Sequence, residues 1–450
     1  MTQTLSFGKK LHAMLGIYAV LFLLGLETTL GGAVLPHAAQ SLGALENVSW
    51  LATIQMLTAT CVTPLTARVG DMWRRKWLVV ISVALLCVSG ILVACAEHMP
   101  VLMLSRVVNG LAVGMMAGAA FAVPVDVFVD PAERVKWQSI SGIIFALASC
   151  TGPGLGAWLN ELWGWRLTLL SVMTVALPVL LMLMFMPDCQ EENTKQQRFD
   201  ALGAIYLTVF ISCSLYGLQG LSREPVATYF LIVAAFFCIL FFRQQKRAPQ
   251  PILALEVLSN SQVRTISLST LFSGAVLGVL MFYSPLLLVT LTGVSYAQAS
   301  MLMLPLLVGM PVGSFCNGHL FRRLRKPHHL FYLGTFLLLL GMSILVSLGF
   351  GAARAWALSG YGLCGIGLGF LNQSQGLFIQ IVTPRHFAGA ATGLVSTARS
   401  YGGALGSAML GLMLVLFGLT QGFVWGLVVL WGLSLCLIPL VLRIKPYVSA

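Results

Sequence analysis

The sequence predicts an all-α integral membrane protein. Its 450 residues are 58% hydrophobic and only 9% charged, whereas a soluble domain carries about 25% charged residues. The mean hydropathy is +0.91, and apolar runs of about 20 residues, long enough for a helix to cross a bilayer, recur along the chain. Transmembrane barrels instead show alternating segments of about ten residues. We therefore expect a bundle of membrane-spanning helices.

The apolar runs predict about fourteen transmembrane helices. The seventh and eighth predicted spans are separated only by Ser222-Arg223-Glu224-Pro225. A twelve-span alternative would place both on the membrane surface, and their all-round apolar character argues against that. The spans lie near residues 12–36, 49–68, 77–96, 100–128, 138–160, 165–187, 201–221, 226–243, 262–291, 295–321, 328–349, 354–383, 387–418 and 423–443.

The charge distribution supports this even number of spans. A net charge of +12 in a soluble protein would suggest nucleic-acid binding, but here it has a simpler explanation. With both termini in the cytoplasm, the predicted outer loops contain only Arg166, Arg223 and Arg354, and Arg106 and Arg399 fall within spans. The other lysines and arginines lie on the cytoplasmic side, as the positive-inside rule requires. No nucleic-acid partner is expected.

Two longer polar connections, 187–200 and 243–262, enclose the seventh and eighth spans. They predict a six-helix bundle over residues 1–187, a two-helix insert with cytoplasmic linkers over 188–261, and a second six-helix bundle over 262–450. Two such bundles with a site between them are typical of rocker-type transporters. We expect a monomer whose partners are the lipid bilayer, a small-molecule substrate and protons.

Glu27 stands near the middle of the first span, and Asp126 is the other carboxylate predicted near membrane depth. A buried charge there costs at least a few kcal/mol and indicates a functional site. A carboxylate that alternates between dry and wet surroundings can take up and release a proton, as proton-coupled transport requires. A permanently protonated Glu27 is the alternative. Arg106 would face a polar cavity or an acidic partner, or else clamp backbone carbonyls.

The second half of the chain differs, because no Asp or Glu follows Glu256. Carboxylate chemistry is therefore predicted in the first bundle. Arg399 lies in the inner half of its span, where an arginine can snorkel to the interface. The neutral polar residues at depth either line a cavity or join helices; they are Asn372, Gln373 and Gln375 in the twelfth span and Tyr283 in the ninth. The ten cysteines show no metal-ligand spacing, so no metal site is expected.

Four local patterns are distributed over the predicted spans. Residues 26–36 read LETTLGGAVLP and contain Glu27, and residues 67–76 read ARVGDMWRRK and contain Asp71 and Arg75. Residues 104–110 read LSRVVNG, followed by Gly114 and Gly118. Residues 152–156 read GPGLG in the fifth span, where small residues allow close helix approach and Pro153 can kink the helix.

These patterns, in this order and on these spans, resemble the major facilitator superfamily, specifically its fourteen-span drug:proton antiporters of the EmrB/QacA type. Glu27 replaces the family's usual aspartate, Gly32 an asparagine and Asn109 a glutamine. In the loop after the second span, Ala67 and Arg74 replace two signature glycines. The resemblance covers essentially the whole chain.

The resemblance implies a proton-coupled antiporter of the bacterial inner membrane. It would export small amphipathic or cationic compounds by alternating access, driven by the proton gradient without a cofactor. Glu27 and Arg106 would carry proton coupling, and Asp71, Arg75 and Asp126 would form a cytoplasmic gate. Glu27, Gln55, Asn109, Tyr283, Asn372, Gln373 and Gln375 would line the substrate cavity, and Gly152, Pro153 and Gly156 would form the antiporter motif.

Three alternatives remain, of which the third is a non-transporting sensor that would usually carry an appended soluble domain. The first is a major facilitator transporter of a specific native metabolite, such as a sugar, an amino acid or a siderophore. The second is a membrane-embedded enzyme, which would need a nucleophile with a base or a metal cluster. The sequence shows neither, so we do not expect an enzyme.

Overall fold

The computed structural model describes residues 6–43, 48–128, 130–188, 199–220, 226–248, 252, 258–294, 296–351, 355–383 and 388–444. None of these residues is in a strand. Their helices are α1 Phe7–Ser41, α2 Val48–Met72, α3 Arg75–Ala94, α4 Met99–Ala120, α5 Val123–Val127, α6 Pro131–Met184, α7 Ala201–Gly220, α8 Val226–Arg247, α9 Ser261–Thr292, α10 Tyr296–Arg323, α11 His329–Leu348, α12 Ala355–Val382, α13 Ala388–Phe417, α14 Leu419–Leu435 and α15 Leu437–Leu442.

Twelve helical segments within the described residues are long and apolar enough to cross a membrane. The predicted spans near 49–68 and 354–383 are helical, as α2 and α12, but are not among the twelve. Both helices carry amides that were predicted to line a cavity. The prediction of fourteen spans is therefore not confirmed. The doubtful seventh and eighth spans are both among the twelve.

One predicted boundary agrees with the structure and one differs from it. The fifth and sixth predicted spans join in α6, which is interrupted at Gly164, where φ is 75° and ψ is 170°. A positive φ of this kind favours glycine, so the chain can turn there between two apolar segments. The fourth predicted span ends early, since α4 stops at Ala120 and Asp126 lies on the separate short helix α5.

Contacts group the chain into two compact units. The first comprises Met1–Phe199 with Ala388–Ser396. Within it, α1 packs against α6, and α4 packs against both α2 and α3. Glycines make the α2–α4 contact close: a Cβ added at Gly110 would lie 2.6 Å from the carbonyl oxygen of Gln55, and one at Gly114 would lie 2.7 Å from that of Ala59. The α4 backbone is thereby fixed beside its neighbours.

The second unit comprises Asp200–Phe387 with Thr397–Ala450. Within it, α12 packs against α10 and α11, and α7 pairs with α8. Asp200 joins the ends of that hairpin, because its carboxylate accepts hydrogen bonds from Gln244 at 3.0 Å and Gln245 at 2.9 Å. Much of the two linkers predicted to flank the hairpin lies outside the described residues. The boundaries 188 and 261, like the cytoplasmic termini, therefore stay predictions.

Candidate functional site

A buried ionisable pair occupies the interior of the first unit. Glu27 on α1 is 3% exposed and Arg106 on α4 is 1% exposed. The Arg106 Nη1 atom lies 4.0 Å from the Glu27 Oε1 atom. Asn109, one turn after Arg106, donates a hydrogen bond of 2.7 Å from Nδ2 to the same Oε1. The structure thus brings together the three residues that the sequence assigned to proton coupling and to the adjoining cavity.

A small cavity borders this pair. Glu27, Arg106 and Asn109 line it together with Ser89, and apolar side chains of α3 and α6 complete its wall. Its free volume holds about one water molecule. Among the described residues, Arg106 Nη1 and Asn109 Oδ1 have no hydrogen-bond partner although both atoms are buried. Two buried polar atoms beside Glu27 therefore have hydrogen-bonding capacity that the described residues do not use.

Two serines missed in the sequence analysis support Arg106. Ser105 Oγ lies 3.5 Å from Arg106 Nε and itself donates to the carbonyl oxygen of Leu102 at 2.6 Å. Ser89 on α3 donates to the Ser105 carbonyl oxygen at 3.1 Å. Both serines are essentially unexposed. A buried serine in an apolar helix gives no distinctive sequence signal, so only the fold identifies this support.

The glycine-rich pattern of the fifth predicted span packs against the turn of α1 that carries Glu27. A Cβ at Gly152 would collide with the hydroxyl of Thr29 and lie 3.1 Å from the carbonyl oxygen of Leu26. A Cβ at Gly156 would lie 3.1 Å from the carbonyl oxygen of Leu30. The side chain of Pro153 lies outside the described residues. The two glycines therefore let α6 approach the carboxylate-bearing segment of α1.

The predicted gate residues form a second ionic cluster in the same unit. Arg75, at the start of α3, donates from Nη1 to Asp126 and from Nη2 to Asp71. Arg75 is only 4% exposed. Gly70 contributes space, because a Cβ there would lie 3.0 Å from Arg75 Cγ. One guanidinium thus forms ion pairs with two carboxylates.

The remaining predicted cavity residues lie elsewhere. Gln55 is on α2 in the first unit, and the other four belong to the second unit. Gln375 is fully buried, and its Nε2 lies 3.1 Å from Ser273 Oγ and 3.4 Å from Ser269 Oγ. This amide therefore joins α12 to α9. Gln373 is 6% exposed, and Asn372 and Tyr283 are partly exposed.

The helices and the buried ionic groups define a multi-pass membrane protein. The chain belongs to the Major Facilitator Superfamily, because the family's model matches residues 17–407. It is therefore a transporter that acts on small molecules, and not an enzyme.

Two bacterial relatives have related names. The chain is 24% identical over 418 residues to multidrug resistance protein 3 of Bacillus subtilis, covering 91% of this chain and 80% of the relative. It is 27% identical over 409 residues to multidrug resistance protein Stp of Mycobacterium tuberculosis, covering 88% of this chain and 74% of the relative.

Solved structures show the same fold. The human organic anion transporter MFSD10 superposes with a TM-score of 0.71 at 16% identity, covering 96% of this chain and 99% of that one. The proton:xylose symporter XylE superposes with a TM-score of 0.69 at 14% identity, covering 98% of this chain and 96% of that one. At such low identity the likeness establishes the fold alone.

Proposed function

We propose that the protein is a proton-coupled antiporter that exports small amphipathic or cationic compounds across the bacterial inner membrane. The observation that carries this proposal is the position of Glu27. Its carboxyl group is buried in the first spanning helix, accepts a hydrogen bond from Asn109 and lies 4.0 Å from Arg106. Two relatives are named multidrug resistance proteins, and these names support export.

The cycle uses one carboxyl group for two alternating ligands. Glu27 takes up a proton from the outer side as substrate leaves, and loses it towards the cytoplasm as substrate binds. Arg106 holds a fixed positive charge beside the carboxylate and so favours release of the proton. In a mostly apolar cavity, a carboxylate attracts lipophilic cations. The proton gradient supplies the driving force, without a cofactor.

The Arg75 cluster closes the cytoplasmic side in one state of the cycle. Breaking its two bonds to Asp71 and Asp126 in the other state gives alternating access. We further propose the fourteen-span arrangement of the drug:proton antiporters, with α2 and α12 spanning the membrane beside the twelve more apolar helices. Both termini are then cytoplasmic, and the protein acts as a monomer.

Dye efflux tests the proposal. In inverted vesicles, the wild-type protein should transport a lipophilic cationic dye, and a proton uncoupler should abolish that transport. Glu27→Gln should remove coupled transport while leaving expression intact. Glu161→Gln is the matched control, since it makes the same chemical change at an exposed position on α6. Wild-type efflux by a well-expressed Glu27→Gln protein would refute the proposed role.

Absence of dye transport in the wild-type protein would favour the alternative of a specific native metabolite. The same vesicles would then be screened with sugars, amino acids and siderophores.

A further inference from the structure

Arg399, on α13 in the second unit, is a partly exposed cation that has no counter-charge among the described residues. Its Nε atom is inaccessible and has no hydrogen-bond partner among the described residues. The ion pairs found within the described chain do not include it. Arg106 and Arg75, the deep arginines of the first unit, each lie beside a carboxylate. Arg399 differs from both in this respect.

The sequence explains why the helices from α9 onward supply no acidic partner. No Asp or Glu follows Glu256, so every helix from α9 onward lacks a carboxylate. Asp200, at the hairpin of the same unit, already accepts hydrogen bonds from Gln244 and Gln245. A guanidinium at membrane depth is costly unless an opposite charge or a polar cavity compensates it.

The backbone at Arg399 is held firmly. A Cβ at Gly274 on α9 would lie 2.5 Å from the carbonyl oxygen of Arg399, and Gly402, one turn further on, meets the backbone of Leu271 as closely. Tyr401 adds a third contact, because its hydroxyl lies 3.0 Å from Ser214 Oγ on α7. Two neighbouring helices, α9 and α7, therefore hold the backbone from which the Arg399 side chain starts.

Snorkelling does not account for this side chain. Arg399 lies more than two helical turns inside the candidate span Ala391–Phe417. The Nε atom is enclosed by protein, whereas a snorkelling arginine carries its head group into water. The residue as a whole is still partly exposed, so the terminal nitrogens of the guanidinium can be reached by a ligand.

We propose that Arg399 is the anion-binding residue of the second unit and that it takes a carboxylate or another oxoanion group of the transported compound. The planar guanidinium offers paired N–H donors that match the two oxygens of such a group. This inference rests on the proposed export function and narrows its substrate class. The preferred substrates carry an acidic group in addition to an amphipathic body.

Equilibrium binding to the purified full-length protein tests the inference without requiring transport. The probes are a rhodamine dye with a free carboxylate and the methyl ester of the same dye, followed by fluorescence anisotropy. Arg399→Gln should weaken binding of the carboxylate dye by about tenfold or more, because a charged hydrogen bond is lost. Binding of the ester should not change, and Arg399→Lys should restore part of the loss.

Two further arms distinguish the source of the anion. If inorganic phosphate displaces the carboxylate dye, the site accepts oxoanions in general. If the dye is displaced only when phosphatidylglycerol is added to phosphatidylcholine nanodiscs, the site takes a lipid headgroup. Thermal unfolding separates binding from structure: an unpaired buried charge predicts that Arg399→Gln unfolds at the same or a higher temperature than the ligand-free wild type.

Three results would overturn the inference. Arg399→Gln could weaken binding of both dyes equally, or it could destabilise the protein. The wild type could also bind the carboxylate dye and its ester equally well. The dye-binding experiment needs no proton gradient. It therefore tests Arg399 even if the efflux assay shows no role for Glu27.

Discussion

The hydrogen bond from Asn109 to Glu27 sets how readily the carboxyl group gives up its proton. Asn109 Nδ2 donates to Glu27 Oε1 at 2.7 Å, and both residues are buried. Asn109→Leu keeps nearly the same side-chain volume and removes the donor. The carboxylate form of Glu27 then loses a bond, while Arg106 still lies 4.0 Å away. The proton should therefore be retained to higher pH.

The size of the shift follows from the type of bond. A hydrogen bond to a charged group contributes about 1.5–3 kcal/mol, and one pH unit of proton affinity corresponds to about 1.36 kcal/mol. The pH midpoint of dye–proton exchange should thus move upward by about 1 to 2 units. The assay is dye uptake into inverted proteoliposomes across a pH series, together with the proton release that dye addition causes.

Asn317→Leu is the matched control for this prediction. Asn317 on α10 is also fully buried, and it donates to the carbonyl oxygen of Phe370 at 3.0 Å and to Ser374 Oγ at 2.7 Å. It makes no contact with Glu27 among the described interactions. An unchanged midpoint in Asn109→Leu, or the same shift in Asn317→Leu, would refute the reasoning.

Two further predictions concern packing and the ionic cluster. Arg75→Gln leaves two partly buried carboxylates without their cation and should destabilise the protein by at most about 3–5 kcal/mol, the range for a fully buried pair, measured by chemical unfolding of the purified protein. Arg74→Gln changes an exposed neighbouring residue and should lower stability by about 1 kcal/mol or less. Equal losses of stability in the two variants would contradict a cluster centred on a buried Arg75. Gly152→Ala should lower the stability of the protein by about 1–3 kcal/mol through overpacking and should slow efflux. Gly154→Ala, where a Cβ meets open space, should leave both stability and efflux unchanged. Normal efflux by Gly152→Ala would contradict the close approach of α6.

Much of the candidate site was accessible from the sequence because charged residues are rare in this chain. With 9% charged residues, a carboxylate such as Glu27 inside an apolar run is conspicuous. Arg106 and Asn109 are three residues apart on one helix, so their shared face follows from helical periodicity. The pairing of Arg75 with Asp71 likewise follows from an i,i+4 spacing. These are local relations, and local spacing defines them.

Helix boundaries were accessible in part. The break at Gly164 falls between the fifth and sixth predicted spans. The early end of α4 was not predicted, because an apolar run does not record where one helix stops and the next begins. The segments α2 and α12 are helical, as predicted, but they are not among the twelve apolar segments.

The sequence by itself determined the helical membrane class, the carboxylate at depth and the absence of acids beyond Glu256, because composition and periodicity are properties of the chain alone. Only the tertiary structure decided which polar groups meet. It placed Arg106 beside Glu27, set Ser89 under the Arg106 turn and left the Nε atom of Arg399 without a hydrogen bond among the described residues. Such pairings join residues far apart in the chain, and side-chain packing between helices fixes them.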